Sequence, residues 1–254
     1  MALLSKKLIA ALAFAAAASV ALPPAASALD DKQKEEMGAF IKEYLLANPE
    51  LFVEMRQALV DKQEAAQRIE QKAAVSQNEA AIFSSADDIT LGNPKGDVTV
   101  VEFFDYNCGY CKRGLQDMDA LLESDPNLKF VLKELPILGP DSLAAHKVSA
   151  AFRLLAPEKY GDFHRALLGG KHANEEIAVA LAVKLGVAET DLRAKMDATP
   201  YKEQVDGMHA MAGTLGISGT PAYVIGKEII PGAVGAEDIA AKINNIRSCG
   251  EATC

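Results

Sequence analysis

The chain has 254 residues, of which 50% are hydrophobic, 24% charged and 6% aromatic, and its formal net charge is −9. This composition is typical of a globular protein with a full core, and it excludes a disordered, collagen-like or low-complexity chain. Because acidic residues outnumber basic ones and no basic block occurs, nucleic-acid binding is not expected. The four cysteines are too few for a small fold built on disulfides.

The N-terminus has the pattern of an export signal. Lys6 and Lys7 precede an uncharged apolar run over 8–22, and Ala26-Ser27-Ala28 has the A-x-A form of a cleavage site. The run is shorter than the roughly 20 apolar residues that span a bilayer, so an uncleaved anchor is only the alternative interpretation. We therefore expect cleavage after Ala28 and a mature protein in a bacterial periplasm, which is an oxidising compartment.

Residues 30–82 predict two helices that are rich in Lys, Glu, Gln and Ala. Apolar residues of the first helix follow the i, i+3, i+4, i+7, i+8 spacing of an amphipathic helix: Met37, Phe40, Ile41, Tyr44 and Leu45. Asn48-Pro49-Glu50 then supplies a cap and a proline, so a more polar helix begins there and runs to about Ala81. The apolar stripe must be covered by its own domain or by self-association. We favour self-association, because the polar second helix is typical of a solvated spacer.

The rest of the chain predicts strands and helices of an α/β protein. The expected elements are a linker (83–97), a strand (98–104), a helix beginning at the cysteine pair 108/111, a strand (128–135), a helical region (142–210), two strands (222–225 and 228–230) and a final helix (236–246). This order, β-α-β, a helical insertion and β-β-α, is that of a thioredoxin fold with an inserted helical domain.

The segment Cys108-Gly109-Tyr110-Cys111 follows a strand and begins a helix, which is the arrangement that dithiol redox chemistry requires. Free backbone N–H groups and the positive end of the helix dipole stabilise a thiolate, so Cys108 is the predicted attacking thiol. Cys111, one turn later, is placed to resolve the mixed disulfide. Half of a zinc site and a structural disulfide are the alternatives. Since no second C-x-x-C motif and no clustered His-Cys pair occur, we do not expect a metal, and the two-residue loop is too short for a structural disulfide to stabilise much. No cofactor is expected.

Three segments carry a resemblance to a known family. The stretch 100–111 resembles the active site of DsbA-type periplasmic thiol–disulfide oxidoreductases, and 219–222, Gly-Thr-Pro-Ala, is similar to their cis-proline loop. The segment 45–50 is similar to the oligomerisation stalk of the ScsC (suppressor of copper sensitivity) subgroup. The resemblance covers essentially the whole mature chain apart from Cys249 and Cys254. It implies a thioredoxin fold preceded by a helical stalk.

The resemblance also implies roles for single residues. Thr220 and Pro221 would face the cysteines through a cis bond and present backbone groups to an extended substrate. Glu102 would be the family's buried acid, which passes a proton to or from Cys111; an exposed strand face is the alternative. Lys133 of the next strand would face Glu102.

The residues between the cysteines bear on the direction of the reaction. Gly109 and Tyr110 would contact substrate, and they lack the histidine that the family's strong oxidant carries there. We therefore expect a less oxidising protein, suited to reduction or reshuffling.

The remaining polar and sulfur-containing residues are assigned mostly structural roles. Cys249 and Cys254 are expected to form a small terminal disulfide, the alternative being a second thiol pair that relays electrons or binds Cu(I). Met208 and Met211 fit a helix core, with copper ligation as the alternative. Four histidines lack metal-ligand spacing and are expected at surface or capping positions: His146, His164, His172 and His209.

The resulting assignment is a signal peptide (1–28), a helical oligomerisation stalk (29–82) and a DsbA-like domain (83–254) with its insertion at about 142–210. The expected function is a periplasmic disulfide isomerase or reductase; a dithiol oxidase and a copper-binding or copper-tolerance protein are the alternatives. Expected partners are misfolded or reduced exported proteins and a membrane reductase of the DsbD or ScsB kind, with a DsbB-like oxidase as the alternative. The resemblance implies a homotrimer first and a dimer second.

Overall fold

A computed structural model describes residues 29–85 and 88–254. The expected signal peptide and its cleavage site lie outside the described residues. Among the described helices, none combines the length and apolar character that crossing a membrane demands. The described chain divides into two compact units, the first ending at Leu59 and the second beginning at Val60.

The first unit contains helix α1 (Asp31–Ala47) and the beginning of α2 (Glu50–Gln77). A capping box starts α1, in which the backbone N–H of Gln33 donates to the Asp30 side chain at 2.8 Å. No residue of α1 is buried. The exposed large apolar side chains include the predicted stripe and its neighbours: Met37, Phe40, Ile41, Tyr44, Leu45, Leu46, Phe52, Val53, Met55 and Leu59. We call these ten side chains the stalk face.

The second unit places a five-stranded sheet among helices. Its elements after α2 are α3 (Glu79–Phe83), β1 (Ile89–Gly92), β2 (Val98–Phe104), α4 (Gly109–Ser124), β3 (Leu128–Glu134), α5 (Pro140–Leu155), a 3-10 turn (Pro157–Lys159), α6 (Tyr160–Leu168), α7 (Glu175–Lys184), α8 (Glu189–Ala198), α9 (Tyr201–Leu215), β4 (Ala222–Ile225), β5 (Glu228–Pro231) and α10 (Ala236–Cys249). The predicted strands and the helical insertion are confirmed, and the fold is the expected thioredoxin-like one.

The sheet has the order β1-β3-β2-β4-β5, with β2 and β3 parallel and the other pairs antiparallel. In the β2–β3 register Lys133 lies beside Phe103, whereas Glu102 lies beside Leu132. Because neighbouring residues of a strand point to opposite faces, the expectation that Lys133 faces Glu102 is wrong. The Lys133 ammonium instead forms an ion pair with Asp88 and donates to the Ala81 carbonyl at 2.8 Å.

Strand β1 lies inside the segment that the sequence analysis assigned to a linker. It pairs antiparallel with β3 at one edge of the sheet. The strand has only four residues and ends at Gly92, so it is too short to display an alternation of apolar and polar residues.

The last turns of α2 belong to the second unit. Val75 of α2 and Ile82 of α3 are buried in one apolar cluster with Val101 and Phe103 of β2. Lys72 forms a salt bridge with Glu251 near the C-terminus at 2.9 Å. The polar composition of this helix predicted a solvated spacer. Its last turns differ from that interpretation, because Val75 holds them against the sheet.

Candidate active site at Cys108 and Cys111

Strand β2 leads directly to Cys108, which is the N-cap residue of α4. The loop between them is fixed by the buried Asp105, whose carbonyl accepts the Cys108 N–H at 3.0 Å. The Asp105 carboxylate accepts the N–H groups of Ile137 and Leu138 at 2.8 and 3.0 Å and the Ser142 hydroxyl at 2.7 Å. These four hydrogen bonds to Asp105 hold the attacking cysteine at the start of α4.

The Cys108 thiol points at the loop before β4. Its Sγ donates to the Thr220 carbonyl at 3.1 Å, and the Thr220–Pro221 peptide bond is cis. Cys108 is 6% exposed, Pro221 is buried and Thr220 is partly exposed. The structure thus brings together the cysteine and the two loop residues that the sequence analysis singled out.

Cys111 is fully buried one turn into α4, and both cysteines are free thiols. Burial raises the pKa of the Cys111 thiol far above its usual value; a backbone hydrogen bond at Asp105 opposes this, and the charges of Glu102 and Cys108 add to it. Only a thiolate attacks a disulfide, so Cys111 needs a nearby proton acceptor before it can react.

Glu102 of β2 is a buried acid beneath the cysteines. It is 1% exposed, and within the described chain its Oε1 atom has no hydrogen-bond partner. Burial raises the pKa of Glu102 to about 8, and the charge of Asp117 on α4 contributes in the same direction. The alternative of an exposed strand face is excluded. A carboxyl with this pKa both holds and releases a proton near neutral pH.

Gly109 and Tyr110 form the exposed mouth of the site. Tyr110 is 59% exposed, and the Arg113 guanidinium lies 4.4 Å from the centre of its ring. Lys112 ties the start of α4 to the insertion, since its ammonium donates to the carbonyls of Gly170 and Lys171 at 2.6 and 2.9 Å.

A polar cluster behind the site was missed by the sequence analysis. Glu134 at the end of β3 accepts hydrogen bonds from the hydroxyls of Ser149 and Tyr160, the latter at 2.9 Å. Burial alone would raise the pKa of Glu134, but the His146 ring, whose Nδ1 lies 3.6 Å from the carboxylate, and the hydrogen bond from Ser149 lower it below its usual value. The Nε2 atom of His146 accepts the backbone N–H of Tyr106 at 3.3 Å, two residues before Cys108. In the sequence, the one indication of this cluster was the acidic residue Glu134 at the end of an apolar strand.

The expected surface or capping positions are wrong for two of the histidines. His146 and His164 are buried and pack against the rings of Phe104 and Tyr106. Burial lowers the pKa of His164 to about 3, so this ring is neutral. The other two are not buried: His172 pairs with the Asp141 carboxylate at 2.9 Å, and His209 contacts the Pro136 carbonyl at 3.2 Å.

The other sulfur-containing residues that the sequence singled out have structural positions. Cys249 and Cys254 form a disulfide at the end of α10. Met208 and Met211 of α9 pack against the apolar cluster that holds Val75. Over 29–85 and 88–254 there is no group of three or more His, Cys, Asp or Glu residues that would hold a metal ion.

Two family models match the chain. The DSBA-like thioredoxin domain matches residues 99–244, which is more than half of the chain, and the copper resistance protein ScsC N-terminal domain matches residues 33–66. The first match contains both cysteines and the Thr220–Pro221 loop. The second contains most of α1 and the first part of α2. A comparison with curated protein sequences gave no significant match.

Solved structures of thiol–disulfide exchange proteins are also similar to this chain. A thioredoxin-like oxidoreductase from Silicibacter pomeroyi DSS-3 is 36% identical, covers 68% of this chain and 99% of its own, and has a TM-score of 0.64. The thiol-disulfide exchange protein alpha-DsbA2 from Wolbachia pipientis is 29% identical, with coverages of 71% and 98% and a TM-score of 0.66. A linker-deletion variant of Proteus mirabilis ScsC is 26% identical, with coverages of 85% and 95% and a TM-score of 0.61.

Proposed function

The chain belongs to the family of DsbA-like thioredoxin domains, with an ScsC-type N-terminal domain, and from this premise we propose that it is a periplasmic protein disulfide isomerase or reductase. The family makes it a thiol–disulfide oxidoreductase. The observation that carries the isomerase assignment is the stalk face, which is exposed in the single chain although it is strongly apolar. An apolar surface of this kind marks an interface with a partner.

The first step takes place at Cys108. Its thiolate attacks one sulfur of a client disulfide, a Cys108–client disulfide forms, and the second client sulfur leaves as a thiolate. In isomerisation a client thiolate then attacks the mixed disulfide. A new client disulfide forms, Cys108 leaves as a thiolate, and no net electrons are transferred.

Reduction of the client uses Cys111 instead. The Cys111 thiol gives its proton to the ionised Glu102 carboxylate, and the resulting thiolate attacks the sulfur of Cys108. The client leaves with two additional electrons and the protein keeps a Cys108–Cys111 disulfide. A membrane reductase of the DsbD or ScsB kind would return the two electrons. Because the raised pKa of Cys111 slows this step, a client has time to rearrange first.

The stalk gives the isomerase its quaternary structure. We assign residues 29–82 to the stalk and 83–254 to the catalytic domain, with the end of the stalk packed on that domain through Val75 and Ile82. We also assign cleavage of the signal peptide after Ala28. The stalk face of one copy would pack against those of others, in a homotrimer first and a dimer second. Several active sites held near one client raise the local thiol concentration, as rearrangement of wrong disulfides requires.

An assay on two substrates tests this function. The full mature chain, with Cys108 and Cys111 kept reduced, is mixed with a scrambled multi-disulfide protein, and the oxidised chain is mixed with the same protein fully reduced. We expect the native client to be recovered from the scrambled form at a higher rate than disulfides are formed in the reduced form. Fast oxidation of the reduced client with no recovery of the scrambled one would identify a dithiol oxidase instead.

Copper handling is the second candidate, because the N-terminal match is to a domain of a copper resistance protein. The free thiols of Cys108 and Cys111 are soft ligands that suit Cu(I). A titration of the reduced chain with Cu(I) tests this role. Tight stoichiometric binding that disappears in Cys108→Ser would support copper binding at the dithiol, and weak binding that is the same in Cys108→Ser would contradict it.

A further inference from the structure

A cleft of about 640 Å³ adjoins the cysteine site within the second unit. It is lined by Tyr110 and by the loop 216–221, which receives the Cys108 thiol and which we call its floor. One wall consists of β5 and the turn after it, including Ile229 and Ala233. Helix α2 lines the cleft with Glu64, Gln67, Arg68 and Gln71, and we call this part of the lining the α2 wall. We call this space the α2 cleft, and its volume lies in the range of ligand-binding clefts.

The α2 wall is fixed in place. Val75 anchors the helix in the core, and the salt bridge from Lys72 to Glu251 holds the same turn. Gln71 reaches the floor of the cleft, because a Cβ atom added to Gly216 would lie 3.6 Å from its Nε2 atom. The wall is therefore a built part of the second unit.

The lining of the α2 wall is polar without a net charge. Arg68 and Glu64 form an i,i+4 ion pair at 3.4 Å and neutralise each other. Gln67 and Gln71 present amide groups, which both donate and accept hydrogen bonds. On the floor, Ser218 and Gly219 are exposed, and their backbone N–H groups donate no hydrogen bond to any described residue.

We propose that the α2 cleft binds an extended, uncharged segment of the client next to the cysteine that Cys108 attacks, with Gln67 and Gln71 bonding to its backbone. The inference rests on the proposed function and names the surface that recognises the client. Continuity with the Cys108 site identifies the occupant, since Tyr110 and Thr220 line both. Glutamine amides match a peptide backbone whatever its side chains are, which suits an enzyme with many clients.

Helix α2 consequently has two functions along its length. Its beginning carries part of the stalk face, including Phe52 and Met55. Its last turns, around Gln67 and Gln71, contribute to client recognition at the active site of the same chain. These positions are specificity determinants that a DsbA-like domain without the helix does not possess.

The first test compares two double variants of the full mature chain. Gln67→Ala/Gln71→Ala removes both amides of the cleft, and Gln63→Ala/Gln77→Ala makes the same change on the same helix outside the cleft. The probe is an uncharged ten-residue peptide with one cysteine in a mixed disulfide with glutathione, and glutathione disulfide is the small substrate.

We expect kcat/KM for the peptide to fall about threefold to tenfold in the cleft variant, through KM, as loss of one or two hydrogen bonds predicts. The control variant should match the wild type on the peptide, and all forms should match on glutathione disulfide. Equal peptide rates in the two double variants would overturn the inference. A wild type that attacks only the small disulfide would contradict the proposed function as well.

A trapping experiment does not depend on the stability of the cleft variant. In Cys111→Ala the mixed disulfide between Cys108 and the peptide persists, because the resolving thiol is gone. Two peptides carry a diazirine three residues before or after the cysteine, and mass spectrometry maps the photoproducts. We expect crosslinks from one of them to 64–71 or 216–221. Crosslinks confined to the insertion, or to the stalk face of a second copy, would overturn the inference.

Discussion

The two compact units treat their apolar side chains in opposite ways. In the second unit the sheet is covered on both faces, and even acids such as Glu102 are enclosed. In the first unit α1 has no buried residue, with Phe40 65% and Leu46 73% exposed. A domain that completes its own core is stable as a single copy, whereas a helix with an open apolar face requires a partner. Chemistry is therefore assigned to the second unit and assembly to the first.

Cys108→Ala is expected to separate catalysis from assembly with the largest effect. It removes the attacking thiol, so disulfide exchange should fall by about three orders of magnitude or more, to the uncatalysed level. Because the thiol lies outside the stalk face, sedimentation of the variant should give the same oligomer as the wild type. Alkylation of the reduced wild type should modify Cys108 first. Faster alkylation of Cys111 would show that the helix-start argument is wrong.

The converse change places charges on the stalk face. In Phe40→Asp/Leu45→Asp both side chains are exposed in the single chain, so the fold should persist while association is lost. We expect a monomer in sedimentation, about tenfold or more lower recovery of a scrambled client, and unchanged exchange with small disulfides. Glu43→Gln on the same helix is the control. A double variant that stays oligomeric, or a monomer with full isomerase activity, would contradict the assembly role.

A fragment that begins at Val60 should behave like this charged variant. It retains Val75 and Ile82, which pack in the core of the second unit. A fragment beginning at Phe83 would remove both buried side chains, at a cost of roughly 3–6 kcal/mol. The unfolding midpoints of the two fragments measure how far the catalytic unit depends on the end of α2.

Two acids of neighbouring strands provide the next contrast. Glu102 has a pKa raised to about 8 from its usual 4.5, so the folded state keeps a proton that the unfolded chain releases. Stability of the wild type should therefore fall as pH rises from 4.5 to 8. Glu102→Gln removes this loss. At pH 8 its free energy of unfolding should exceed that of the wild type by roughly 4 kcal/mol, and at pH 4.5 the two should differ little. The substitution should also slow attack by Cys111 on the mixed disulfide.

Glu134→Gln is the matched substitution on β3. Its carboxylate accepts hydrogen bonds from Ser149 and Tyr160, and its pKa is lowered, so its contribution is present at neutral pH and is lost as pH falls through the folded-state pKa. We expect a loss of about 1–3 kcal/mol at pH 7. Denaturant unfolding at pH 5 and 8 distinguishes the two acids; equal effects of the two substitutions would refute the distinction.

The smallest effect is expected at the C-terminal disulfide. Arg247, near this disulfide, pairs with Asp125. Asp125 is the C-cap of α4, at the opposite end of the helix from Cys108. Cys249 and Cys254 are five residues apart. Their replacement by serine should cost at most about 2 kcal/mol, because the closed loop is short. Exchange rates should be unchanged. A marked loss of activity would indicate the electron relay that the sequence analysis kept as an alternative.

The sequence predicted the features that depend on local pattern. The strand before Cys108, the cysteine motif and the Gly-Thr-Pro segment were readable because each lies within a few residues. Features that depend on strand register or on packing between distant elements could not be predicted in this way. The side to which Lys133 points follows from the β2–β3 register, and the burial of His146 follows from packing of α5 behind the site. After Ile69, Val75 is the only large apolar residue in α2, so no periodicity predicted the docking of its last turns.

The redox state of Cys108 and Cys111 in living cells distinguishes a disulfide isomerase or reductase from a dithiol oxidase. Acid quenching followed by alkylation with a mass-shifting maleimide separates the dithiol from the disulfide form on a gel. A disulfide isomerase or reductase must hold its attacking cysteine as a thiol, so we expect the cysteine pair to be mostly reduced in the periplasm. A pair that is mostly oxidised would contradict the account and would identify the protein as a dithiol oxidase.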